Sequence, residues 1–382
     1  MKATILKDKL KEGINIVERI SAKSLNLPIL NNILITTEKN FLNLAVTDLE
    51  IGIKWWALVK SEKEGKIAVP SRILSSFINL LPNKLINLEV KDLDLKIECE
   101  NHQTTIKSFN PEDFPIIPKV LSEEKALVNT KTFCRGLSQV VDIASFSSTK
   151  PEISGVYFLF QKNLITMAAT DSFRLGEKKL FLSPPLNTIS KDYSFILPQR
   201  AAKEIINIFN EKDEELTIYF SPNQILFESS FKETPHPQIQ IISRLIEGDY
   251  PNYETIIPKK YDTRVVLPSD EFINQIKLAS LFSGKINEIK FKVEPSKKRL
   301  DLFSQSPDVG EYQSFITGQV EGKACDVSFN HRFLLDGVLS MGFDKEKNSE
   351  LVFEFSDSEK PGVIRKKGDD SYLYLVMPIK TT

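Results

Sequence analysis

Apolar positions along this chain repeat in a fixed order, three times over. Leu10, Ile14 and Val17 fall at helical spacing near the start, and Phe133, Leu137, Val140 and then Phe272, Ile276, Ala279 fall likewise further on. Each such stretch predicts an amphipathic helix that opens a repeat. A second helix is predicted in every repeat, after a short apolar strand: KIAVPSR leads into ILSSFINLLP, SFILPQR into AAKEIINIFN, and VSFNHR into FLLDGVLSM. Leu74, Phe77, Ile78 and Leu81 lie on one helix face, as do Ala202, Ile205, Ile206 and Phe209. Ser71 and Asn330 are the expected N-caps.

Between the helices run strands with turn residues at their ends. Phe41 to Val46 closes at Thr47-Asp48, Leu164 to Ala169 at Thr170-Asp171, and Leu300-Asp301-Leu302-Phe303 at Ser304-Gln305. A Thr-Asp pair closing the same strand in two repeats points to turn chemistry, with Asp accepting from nearby backbone N–H groups, rather than to a catalytic acid. The repeats also close alike, at Glu112-Asp113-Phe114-Pro115, at Gly248-Asp249-Tyr250-Pro251 and at Val376-Met377-Pro378. The expected architecture is α+β: three tandem domains over 1–121, 122–257 and 258–382, each with two helices on antiparallel sheets.

Composition narrows the function more than it names it. The chain has 382 residues, 41% hydrophobic and 26% charged, with a net charge of −1, so any nucleic-acid role must come from how charge is distributed. Arg72, Arg200 and Arg332 recur at the start of the second helix of every repeat, while Glu89, Asp94, Glu98 and Glu350 fall in strands. That predicts basic helix faces and acidic sheet faces. The three cysteines are far apart, and Cys99 with His102 lacks the further ligands a zinc site needs, so neither a disulfide framework, a metal nor a cofactor is expected. No apolar run approaches the roughly 18 residues of a membrane span and no secretory leader is legible, which predicts a cytoplasmic protein without membrane contact. Phosphate-loop, dinucleotide and nucleophile-elbow patterns are missing, which disfavours an enzyme. A hydrolase built on Asp171 and Ser172 would need a general base, and the histidines are distant in sequence.

The segment ATDSFRL (169–175) resembles the A-T-D-G-H-R-L stretch of the bacterial DNA polymerase III beta subunit, the replicative sliding-clamp family. The resemblance extends over the whole chain through LPILNNILI (27–35), TDLEIGI (47–53), VPSR (69–72), EDFP (112–115), SRLIEGDYPNY (243–253), FN (329–330) and YLVMPIK (374–380), in the family's order. It implies three DNA-clamp domains, a head-to-tail homodimer closing into a ring, and no catalysis. Duplex DNA would be encircled without base readout, held through phosphates. By the resemblance, the DNA-facing residues are Lys23, Arg72, Lys150 and Arg200.

The family also implies a pocket for short linear peptides carried by the polymerase III alpha subunit, the clamp loader and other clamp-motif repair and replication proteins. Matched by position, one wall is Thr170, Ser172, Phe173, Arg174 and Leu175 with Ile153, Pro251 and Ile256 nearby; the other is Asn330, Phe333, Val376, Met377, Pro378 and Ile379. Ser172-Phe173 stands where the family commonly has Gly-His, and Thr255 where a basic residue is common. The remaining alternative is a repeat-built interaction scaffold that does not close into a ring.

Overall fold

A computed structural model describes residues 1–21, 27–120, 122–145, 149–343 and 349–380. Among the described residues there are six α-helices: α1 (Lys7–Val17), α2 (Ser71–Leu80), α3 (Thr130–Val140), α4 (Gln199–Phe209), α5 (Ser269–Ser280) and α6 (His331–Ser340). The apolar stripes that predicted the opening helices are their buried faces: Leu10, Ile14, Val17, Phe133, Leu137, Val140, Phe272, Ile276 and Ala279 are each at most 1% exposed.

The chain forms two compact units although its sequence repeats three times. Unit 1 comprises Met1–Cys134, Leu186–Ser190 and Glu204–Leu245, and unit 2 comprises Arg135–Pro185, Lys191–Lys203 and Ile246–Thr382. Strand pairing explains the difference, because the second repeat divides its strands between two sheets. In unit 1 an eight-stranded sheet joins Pro237–Arg244 of the second repeat to Ile51–Leu58 of the first, antiparallel, with Ile241 opposite Ile53. In unit 2 a nine-stranded sheet joins Arg174–Phe181 to Tyr372–Val376 of the third repeat, with Leu175 opposite Leu375. A five-stranded sheet completes unit 1 and a four-stranded sheet completes unit 2.

Glycines set how closely helices approach these sheets. Gly13 of α1 lies over Trp55, where a Cβ would stand 2.4 Å from Cε3, and Gly337 of α6 lies over Tyr374, where a Cβ would stand 2.3 Å from Cδ1. Trp55 and Tyr374 are 1% and 0% exposed, so these bulky rings are seated by the missing side chains above them.

Three sequence expectations change in detail. Asn330 caps α6, its side chain accepting from the Arg332 N–H at 2.9 Å. Ser71, by contrast, is the first residue of α2 rather than its cap; its hydroxyl donates to the Asn31 carbonyl at 2.8 Å, tying the helix start to the short turn Pro28–Asn31. The strand Arg299–Ser306 runs past Ser304-Gln305, because pairing with Gly310–Thr317 continues to Ser306. The sheet faces are also not uniformly acidic: Glu98 pairs with Lys96 at 2.6 Å and Asp94 with Lys107 at 2.7 Å. Exposed pairs of this kind contribute little stability, but they break up any single-sign surface.

Candidate functional site

The Thr-Asp turn of unit 2 is built by its own side chains. The Asp171 carboxylate accepts from the Phe173 and Arg174 backbone N–H groups, both at 3.0 Å, while the Thr170 hydroxyl donates to the Arg174 carbonyl at 2.7 Å and accepts from the Ser172 N–H. These bonds hold Ser172 at φ 77°, a left-handed conformation uncommon for a residue with a side chain. Unit 1 repeats the arrangement: Asp48 accepts from Glu50 and Ile51, Thr47 donates to the Ile51 carbonyl, and Leu49 has φ 78°. Asp171 therefore does the work of a turn residue. Asp171→Ala and Asp48→Ala should each lower stability by about 1–2 kcal/mol in urea unfolding, since each strands two backbone donors. Only Asp171→Ala should also weaken peptide binding; equal loss from both would detach the turn from the site.

Arg174 links this turn to α6. Its Nε donates to the second Asp171 oxygen at 2.9 Å, its Nη1 to Asp336 at 2.5 Å, and its guanidinium lies 4.8 Å from the centre of the Phe333 ring. Only 13% of the side chain is exposed. Burial alone would lower the Arg174 pKa, but Tyr374 and the bonds to Asp171 and Asp336 hold it above the ordinary arginine value. It is a permanently charged brace, with limited surface left for a ligand. Burial pushes the Tyr374 phenol up, so it stays protonated and donates to the Phe333 carbonyl at 2.8 Å.

The C-terminal segment lies along the turn. Met377 N–H donates to the Phe173 carbonyl and Ile379 N–H to the Ser328 carbonyl, both at 2.8 Å. Phe173 is 61% exposed, and its ring stacks toward Phe333 with centroids 6.3 Å apart. Phe173, Phe333, Met377, Pro378 and Ile379 thus present partly open apolar surface, with Thr170 and Ser172 at the turn beside it. Leu175 and Val376 are fully buried behind them, pairing within the nine-stranded sheet, and Asn330 is occupied in capping α6. Ile153 is 4% exposed in the turn Pro151–Ile153; Pro251 and Ile256 are exposed on the linker whose Tyr253 and Ile257 pack on Leu175 with Met377. An apolar, cleft-edged surface on rigid strands suits the side-chain anchors of an extended peptide.

Sequence reasoning missed Asp336 and Tyr374, whose roles come from contacts across distant parts of the chain and leave no local signal. Of the residues expected to face DNA, Arg72 and Arg200 are exposed, and they share with the exposed Arg332 the second position of α2, α4 and α6. The recurrence of arginine at this helix position was legible in the sequence. Lys150 is exposed just before the turn Pro151–Ile153, whereas Lys23 lies outside the described residues.

Models of the DNA polymerase III beta subunit match the chain in sequence: its N-terminal domain over residues 1–118, its central domain over 127–252 and its C-terminal domain over 254–380. Beta sliding clamps of Staphylococcus aureus and Staphylococcus epidermidis are 27% and 28% identical, with full coverage of both chains. Among solved structures, the DNA polymerase sliding clamp of Bacillus subtilis aligns over all of both chains with a TM-score of 0.92 at 25% identity. The fold is shared equally with a sliding clamp of Pseudomonas aeruginosa bound to griselimycin, at a TM-score of 0.91 and 21% identity over full length.

Proposed function

The chain belongs to the DNA polymerase III beta subunit family, the bacterial sliding clamps, and from that premise we propose that Arg72, Arg200 and Lys150 face encircled duplex DNA and that the Phe173 cleft receives partner peptides. Its function is that of a sliding clamp: a non-catalytic processivity subunit of DNA polymerase III that encircles DNA and binds polymerase and other proteins. The observation that carries this is the head-to-tail order of three clamp-domain matches along one chain. The finer reading is a closed homodimeric ring in the cytoplasm, with domains over 1–121, 122–257 and 258–382. Its partners would be the polymerase III alpha subunit, the clamp loader and other clamp-motif proteins. Among the described residues no helix is long and apolar enough to cross a membrane.

The arginine positions support the DNA-facing assignment physically. A cation in the first turn of a helix opposes the helix dipole and does not stabilise the fold. A phosphate placed there would meet the guanidinium and the positive end of the helix dipole together. Reversing Arg72, Arg200 and Arg332 to Glu should lower the salt dependence of association with nicked circular DNA by roughly one unit of log–log slope per arginine. An unchanged slope would remove these arginines from the DNA-facing set.

Ring closure is tested by small-angle scattering coupled to size exclusion. The expected particle has twice the 43.4 kDa of one chain and a pair-distance profile depleted at short distances. A 43.4 kDa particle at micromolar concentration would instead place the open scaffold first.

A further inference from the structure

Unit 1 repeats the turn of the Phe173 cleft and the backbone tie from that turn to the neighbouring segment, without the arginine brace. The Arg244 N–H donates to the Glu50 carbonyl at 2.9 Å, as Met377 N–H does to Phe173. Glu50 thus occupies the place of Phe173, Ile51 that of Arg174, Leu49 that of Ser172 and Arg244 that of Met377. The cores beneath correspond as well: Phe114 and Ile117 of the first linker pack with Ala45 and Ile242, where Tyr250 and Tyr253 of the second pack with Ala168 and Leu375. At this place the surface dips into a shallow cleft of about 90 Å³, lined among others by Leu49, Gly52, Ile116, Ile117 and Arg244. Gly52 makes room for the linker there: a Cβ would stand 2.8 Å from Ile117 Cγ2.

Two features show what the cleft would accept. Its rim carries uncovered aliphatic surface, with Ile116 92% and Leu49 45% exposed. Its charge is also distinct from that of the unit 2 cleft. Arg244 is exposed at the mouth, Lys119 follows Pro118 on the linker, and Lys54 shares the strand face of Gly52. Burial, together with the nearby Lys119 charge, pushes the Lys54 ammonium below its ordinary value, so positive charge is crowded here. Glu50 is the acidic group among the residues lining the cleft.

We infer that the unit 1 cleft is a second peptide-docking site, whose occupant is an extended segment presenting aliphatic side chains followed by carboxylates. The aliphatic anchors cover Ile116 and Leu49, and the carboxylates meet Arg244 and Lys119. This rests on the reading of the unit 2 cleft as a peptide site, from which it takes its geometry but not its specificity.

The test uses the full chain labelled at isoleucine δ1 methyls, titrated with an acetylated, amidated tetrapeptide of two leucines followed by two aspartates. The Ile116 and Ile117 signals are expected to shift saturably at millimolar peptide. Replacing the aspartates by lysines, or Arg244→Glu, should weaken the response about fivefold. The response should persist when the unit 2 cleft is disabled by Arg174→Ala and removal of the chain from Met377 onward. Unmoved Ile116 and Ile117 signals, equal responses to both peptides, or loss of response on disabling unit 2 would each overturn the inference. A peptide with Leu and Phe anchors that leaves Ile256 and Ile379 unmoved, while Ile116 answers the acidic peptide, would sink the unit 2 reading and leave the unit 1 site standing.

Discussion

Arg174→Ala combined with removal of the chain from Met377 onward is expected to cut affinity for a peptide carrying Leu and Phe anchors by at least about a hundredfold, or about 3 kcal/mol. The two changes take away opposite sides of one surface. Arg174 braces the turn to α6 through Asp171, Asp336 and Phe333, so its loss frees the Phe333 ring and leaves Asp336 without its partner. The C-terminal segment supplies Met377, Pro378 and Ile379, fixed by backbone bonds to Phe173 and Ser328. Because Arg174 is 13% exposed, its own contribution comes through positioning, and Arg174→Lys should recover only part of it. Isothermal titration calorimetry reads the affinity, and scattering mass checks that the assembly state is unchanged. Retained affinity would remove the cleft from the protein's function.

The second large effect is on stability. Gly337→Ala should destabilise unit 2 by about 2–4 kcal/mol in urea unfolding, although Ala in a helix interior is ordinarily about 1 kcal/mol better than Gly. The added methyl would stand 2.3 Å from the Tyr374 ring, which is 0% exposed and anchored through its hydroxyl to the Phe333 carbonyl. Neither ring nor helix can give way without disturbing the strand Tyr372–Val376 or the brace at Arg174. Peptide affinity should fall with stability, because Phe333 moves with α6. Gly136→Ala on α3 offers a milder comparison, since its methyl would meet the flexible end of Leu180 at 3.1 Å. A neutral Gly337→Ala would mean that α6 is free to shift, and the bracing account would fail.

The helices and turns are legible in the local pattern of residues. Stripes such as Leu10, Ile14 and Val17 identify a buried face because helical periodicity is a property of neighbours in sequence. The Thr-Asp turn is legible for the same reason, since Asp171 bonds residues two and three positions on. What cannot be read locally depends on distant partners. Nothing around Arg174 announces Asp336, 162 residues away. Nothing in the strands of the second repeat says that they will pair outward with the first and third. Exposure within the cleft is equally hidden: Phe173 stands open in the turn while Leu175 and Val376 are fully buried in strands covered on both faces, a difference set by packing and not by hydrophobicity. Ser71 shows the limit from the other side, as a residue of the right type one position too late to cap.

The outward pairing of the second repeat has a consequence for the growing chain. Strand Arg174–Phe181 finds its neighbour, Tyr372–Val376, only after nearly all the intervening chain has been made. At roughly 5–20 residues per second, this sheet edge waits on the order of ten to forty seconds at the ribosome with its backbone unpaired. Unit 1, by contrast, has every strand of its eight-stranded sheet once Pro237–Arg244 has emerged. The half of the molecule bearing the Phe173 cleft is therefore the one most exposed to mispairing during synthesis, and the one whose maturation a chaperone would most effectively guard.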